Sequence, residues 1–261
     1  MLEIKDVHKT FNPGTINEKK ALNGLNLTLN DGDFVTGNGA GKSTMLNMIA
    51  GVYPVDSGSI IIDGVNVTKL PEHKRAKYLG RVFQDPMMGT AADMWIEENM
   101  ALASRRGQIR GLKWAINNKE REQFKAMLSE LDLGLENRLS AKVGLLSGGQ
   151  RQALTLLMAV MKKPKLLLLD EHTAALDPKT AAKVLELSNK FISEDHLTAM
   201  MITHNMKDAI TYGNRLIMMN NGKIILDVSG EEKKKLTVEY LLDAFTKLSG
   251  SEFANDRALL N

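Results

Sequence analysis

Short apolar runs alternate along this chain with longer stretches in which apolar residues recur every three or four positions. That alternation predicts an α/β fold, a mostly parallel sheet with helices packed on it. The expected strands are 25–29, 34–36, 59–62, 79–83, 166–169 and 199–202, and a helix over Lys42–Ala50 follows the second of them. The leucine run 166–169 has no polar interruption before Asp170, the pattern of a strand buried on both faces. Asp63-Gly64 closes the third strand as a turn, and Asn221-Gly222 between 215–219 and 223–228 is a strong hairpin signal.

Between about residue 85 and residue 146 the strand-like runs disappear. Phe124, Met127, Leu128 and Leu131 fall at i, i+3, i+4 and i+7, one apolar stripe of a helix, so a helical subdomain interrupts the α/β core. The polar tail from about 230 is expected to be helical over 237–248, and no internal repeat is visible.

Composition narrows the function classes. A chain of 261 residues with 43% hydrophobic content can bury a sizeable core. Its 34 basic and 31 acidic residues leave a formal charge of +3, too small and too evenly spread to mark a nucleic-acid binder. Lys233, Lys234 and Lys235 stand beside Glu231 and Glu232 and read as a solvated helix start. The absence of cysteine excludes disulfides and thiolate metal sites. No run approaches the roughly 18 apolar residues a membrane span needs, and the first ten residues lack a signal-peptide core. Any connection to a membrane must therefore come through a partner.

Three segments carry candidate chemistry. Gly37-Asn38-Gly39-Ala40-Gly41-Lys42-Ser43-Thr44 lies between an expected strand and an expected helix, where glycines let backbone N–H groups converge on phosphate oxygens. Lys42 suits the β- and γ-phosphates and Ser43 suits Mg²⁺. The P-loop pattern, however, asks for a glycine five residues before Gly41, and Thr36 stands there. Asp170 and Glu171 sit at the carboxyl end of a buried strand, where α/β sheets bind ligands. Asp170 suits the Mg²⁺ shell and Glu171 suits the attacking water. Leu146-Ser147-Gly148-Gly149-Gln150 precedes the apolar helix 153–161; Ser147 can cap it, and the glycines leave its first amides open to an anion. Taken singly, each segment also reads as ordinary structure: a glycine turn, a strand end, a helix cap.

Together and in this order, the three segments resemble the ABC ATPase family over about residues 1 to 230. The resemblance implies a P-loop NTPase core with an N-terminal antiparallel β region, core segments 1–84 and 147–230, a helical subdomain 85–146 and a tail 231–261. It implies ATP and Mg²⁺ as ligands, with Ser43, Gln84 and Asp170 around the metal. Phe11, in an N-terminal loop, matches the aromatic that stacks on adenine, or else is a core aromatic. Asp177 matches the loop that communicates across a dimer, and it can also simply start the helix at Pro178. His204 matches the histidine at the γ-phosphate; His8, His73, His172 and His196 share no metal-site spacing. Leu146 to Gln150 is implied to act in trans, on ATP held by the partner of a homodimer or of paired cassettes.

The implied function is ATP hydrolysis that powers transport through a separate integral membrane permease, with the chain peripheral at the cytoplasmic face. Met87, Met88, Met94 and Trp95 are the expected docking residues, unless they are core. A bacterial importer of amino acids or another small solute, served by an extracellular binding protein, is the expected setting. The alternatives are a non-transport ATPase of the same family and a regulatory module that no longer turns over, and no nucleic-acid partner is expected. Members of the family usually carry about three more residues between the strand and the glycine loop, a span of roughly 10 Å. We read the shortfall between Thr36 and Gly37 as missing residues rather than a true deletion, which would weaken nucleotide binding. A bonded Thr36–Gly37 pair requires Cα atoms about 3.8 Å apart.

Overall fold

The computed structural model describes residues 1–108 and 116–249. Parts of the expected helical insert and of the tail, at 109–115 and 250–261, lie outside the described residues. Two compact units are present, Met1–Lys69 with Met200–Asn261, and Leu70–Ala199.

The first unit opens with β1 (Leu2–Phe11), β2 (Lys19–Leu29) and β3 (Phe34–Gly39), followed by α1 (Lys42–Ala50), β4 (Ser57–Ile62) and β5 (Val65–Asn66). Strands β2, β1, β4 and β5 form an antiparallel sheet in that order, the N-terminal β region expected above. Alternation in β1 sends Leu2 and Ile4 into the core, and an irregularity between Ile4 and Val7, with Asp6 at φ 47°, turns Val7 inward as well.

In the second unit come α2 (Glu72–Arg75), β6 (Leu79–Val82), α3 (Ile96–Ser104), α4 (Asn118–Ser129), α5 (Gly148–Val160), β7 (Leu166–Asp170) and α6 (Pro178–Glu194). Strands β6 and β7 are parallel, Leu79 to Val82 opposite Leu166 to Leu169. The leucines of β7 are fully buried, as its unbroken run requires. Asn117 and Glu120 form a capping box that fixes the start of α4. The stripe Phe124, Leu128 and Leu131 is buried, although Leu131 lies just past the helix end.

The chain then continues with β8 (Ala199–Ile202), α7 (Met206–Thr211), β9 (Arg215–Asn220), β10 (Lys223–Ser229), α8 (Gly230–Lys234) and α9 (Val238–Ser249). Strands β9 and β10 form the expected hairpin around Asn221-Gly222, and β3 pairs with β9 in parallel, so this sheet is mixed. The lysine run is not wholly solvated. Lys233 is buried, and its Nζ donates to the carbonyl oxygens of Ile210, Tyr212 and Gly213, capping the end of α7.

Candidate functional site

The glycine segment departs from a phosphate cradle. Strand β3 runs through Thr36 and Gly37 without a register break, opposite Leu216 and Ile217 of β9, and continues to Gly39 opposite Met219. Gly37, Asn38 and Gly39, expected in a loop, are strand residues here. The physical reason is length: with so few residues between the sheet and α1, the glycines must span the distance extended. Their polar groups are engaged accordingly. Ala40 N–H donates to Met219 O at 3.0 Å, Gly39 N–H to Asn38 Oδ1 at 2.6 Å, and Gly37 O accepts from Thr203 N–H at 3.1 Å. Gly39 has φ 102°, and a Cβ there would collide with Met219 O, so only glycine fits.

Helix α1 starts at Lys42 behind Gly41, whose φ is 101° and which supplies no side-chain cap. The N-terminal amides of α1 therefore lack a side-chain acceptor at the cap, a feature suited to an anion. Lys42 is buried, Ser43 is exposed and Thr44 half-buried on its first turn.

Elsewhere in the same unit, Phe11 ends β1 opposite Lys19 rather than lying in a loop, because the β1–β2 ladder extends that far. Its half-exposed ring meets Tyr53 edge-on, centroids 5.3 Å apart, with Lys9 Nζ 5.7 Å from its centre. His204 is exposed just after β8.

The second unit holds the two carboxylates and the signature segment, Leu146 to Gln150. Asp170 ends β7, and its Oδ2 accepts from Arg81 Nη2 of β6 at 3.2 Å. Arg81 also lies over the Phe83 ring, 4.5 Å from its centroid. Glu171 follows with φ 47°, a left-handed conformation that disfavours a residue with a Cβ, and its carbonyl accepts from Ala174 N–H at 2.9 Å. His172 is fully buried, its Nε2 2.9 Å from Ser188 Oγ on α6. Burial pushes its imidazole down to about 4, so it is neutral at physiological pH. Gln84 is exposed just beyond β6, which ends at Val82.

The signature helix begins five residues earlier than its apolar run, at Gly148. Ser147 Oγ accepts from Gln150 N–H at 3.3 Å while Gln150 Oε1 accepts from Ser147 N–H at 3.2 Å, a complete capping box. Ser147 and Gly148 are exposed, Leu146 and Gly149 buried. Gly149 is required by close packing, since a Cβ would strike Thr180 Cγ2 of α6. Asp177 caps α6 through Thr180 N–H at 3.1 Å, and hydrogen bonds from Thr180 hold its carboxyl below the usual range. The structural reading of Asp177 thus holds and leaves its exposed carboxylate at the surface.

The donors assigned to the metal are a hydroxyl, an amide and a carboxylate, all oxygen ligands of the kind a hard divalent cation takes. Sequence reasoning missed Arg81, Gln152 and Ser188. The signal for Gln152 was available: an uncharged amide at the edge of a largely apolar helical run.

Comparison with known proteins identifies the family and the fold. The ABC transporter family profile matches residues 22–174. The chain is 45% identical over 249 residues to a tyrosine transport ATP-binding protein of Clostridioides difficile, covering 94% of this chain and 98% of that one. It is 34% identical to an ABC transporter ATP-binding protein of Bacillus subtilis, covering 98% and 96%. A cassette solved as a dimer in a post-hydrolysis state bound to ADP and Pi superposes with a TM-score of 0.74 at 30% identity, over 88% of this chain and 98% of that one. This chain belongs to the ABC transporter family, as one of its ATP-binding transport ATPases.

Proposed function

We propose that this chain binds and hydrolyses ATP to power import of an amino acid or similar small solute through a separate integral membrane permease. The relative named a tyrosine transport ATP-binding protein, which matches nearly end to end, supports an amino acid as cargo. Hydrolysis is carried by one observation above all: Glu171 stands in a constrained turn directly after the buried strand that ends in Asp170. A carboxylate so held is poised to orient or deprotonate the attacking water. Lys42 contacts the β- and γ-phosphates, helped by Ser43 and Thr44 on the first turn of α1 and, where they leave the sheet, by residues 37–41, and Phe11 offers an aromatic face to adenine. His204 meets the γ-phosphate. Mg²⁺, taken up by Ser43, Gln84 and Asp170, would supply charge neutralisation at the phosphates.

The chain acts as one cassette, with core segments 1–84 and 147–230, a helical subdomain at 85–146 and a tail from 231. Two cassettes pair on ATP, and the partner's nucleotide meets Leu146, Ser147, Gly148, Gly149 and Gln150, with Asp177 beside them. The dimeric form of the solved cassette supports this pairing. Among the described residues no helix is long and apolar enough to cross a membrane. The chain works as a peripheral subunit bound to its permease at the cytoplasmic face. Met87, Met88 and Trp95 are 58%, 51% and 43% exposed, which favours docking of a permease helix over a role in the core. Met94 is only half-buried. An extracellular binding protein would deliver the solute.

The decisive experiment reconstitutes the chain with its permease in vesicles and measures ATP hydrolysis and solute uptake. Glu171→Gln should lower turnover by about 10²-fold or more while leaving ATP binding intact. Normal turnover in that variant would overturn the assignment.

A further inference from the structure

Gln152 stands on the signature helix α5 with no exposure to solvent, two residues beyond Gln150. Its side-chain amide is a bridge. Nε2 donates to Phe83 O at 2.8 Å and to His172 O at 2.7 Å. The first carbonyl belongs to the residue immediately before Gln84, the second to the residue immediately after Glu171. Both acceptors are carbonyls, so the amide has one workable orientation; the flipped form would set oxygen against oxygen. Oε1 has no hydrogen-bond partner among the described residues. A buried acceptor left open is unfavourable, and the amide tolerates it only because the two bonds at Nε2 fix its position.

We propose that Gln152 is a positioning residue that ties the signature helix to the Gln84 segment and to the turn presenting Glu171. The turn needs such a tie. Glu171 holds φ 47°, and a non-glycine residue persists in that region only when its surroundings over-determine it. Among the restraints around it are Ala174 N–H on Glu171 O, Ser188 on the His172 ring, and Gln152 on His172 O. Of these, only Gln152 comes from the helix whose N-terminus bears Ser147 and Gly148. Displacement of α5 therefore pulls on the turn of Glu171 and on the start of the Gln84 segment at once. The catalytic consequence rests on the role proposed for Glu171 above.

The test compares the wild-type chain with Gln152→Leu and Gln152→Glu, without nucleotide, by amide hydrogen exchange. In Gln152→Leu, exchange should quicken about tenfold or more in the peptides covering 83–85 and 171–174, while β7 and the body of α5 stay protected. Gln152→Glu, which keeps the shape and one donor only when protonated, should fall between them. With the permease present, Gln152→Leu should lower kcat about tenfold and leave KM for ATP within about twofold. Unchanged exchange in both peptides would overturn the proposal, as would loosening spread evenly over the unit. If the wild-type chain proves not to hydrolyse ATP, the exchange result still decides the tie, and the failure falls on the proposed function alone.

Discussion

Inserting Val-Ile-Gly between Thr36 and Gly37 is the most informative perturbation of this chain. It adds roughly 10 Å of extended reach, so strand β3 can be completed by the new residues and the native glycines can leave the sheet. Two N–H groups are then freed, those of Ala40 and Gly39, now engaged by Met219 O at 3.0 Å and Asn38 Oδ1 at 2.6 Å. A hydrogen bond to a charged acceptor contributes about 1.5–3 kcal/mol, so two directed at phosphate oxygens contribute about 3–6 kcal/mol. Affinity for ATP should rise by about 10²- to 10⁴-fold, since each 1.4 kcal/mol is tenfold. Isothermal titration with ATP and Mg²⁺, in a Glu171→Gln background that suppresses turnover, measures both proteins directly. Equal affinities within about threefold would refute the reasoning, because they would mean that the last residues of β3 yield to phosphate at no cost.

Two further outcomes follow from packing and titration. Gly149→Ala should destabilise the chain by about 1–3 kcal/mol through collision with Thr180, and Thr180→Ser, which removes Cγ2, should restore most of it in urea unfolding. His172 binds fewer protons folded, with its pKa at about 4, than unfolded, at 6.5, so stability is full above pH 6.5 and falls as pH drops towards 4. Between pH 7.5 and pH 5 this group should remove about 2 kcal/mol of unfolding free energy, a loss that His172→Asn does not share. Equal pH slopes in the two proteins would show that the imidazole is hydrated or charged in the folded state.

The sequence determined the elements whose signals are local. The leucine run before Asp170, the hairpin around Asn221-Gly222 and helix Lys42–Ala50 formed where periodicity and turn chemistry put them, since each depends on residues within one or two turns. Motif order likewise identified the family, because the glycine segment, Leu146 to Gln150 and Asp170-Glu171 carry their chemistry in residue type and spacing. It also exposed the short link at Thr36–Gly37 and its cost to nucleotide binding, although not that Gly37 to Gly39 would join the sheet.

Tertiary structure decided what depends on distant partners. Only pairing with β9 turns Gly37 to Gly39 from a loop into a strand, and only the β1–β2 ladder carries Phe11 into a strand end. Lys233 looked solvated beside Glu231 and Glu232 until three carbonyl oxygens around the end of α7 claimed its ammonium. Gln152 is one amide near the head of α5 until Phe83, just past β6, and the residue after Glu171 bring two carbonyls to it. Local sequence sets backbone preference and period; a buried polar group finds its role only when the fold delivers the partners it must satisfy.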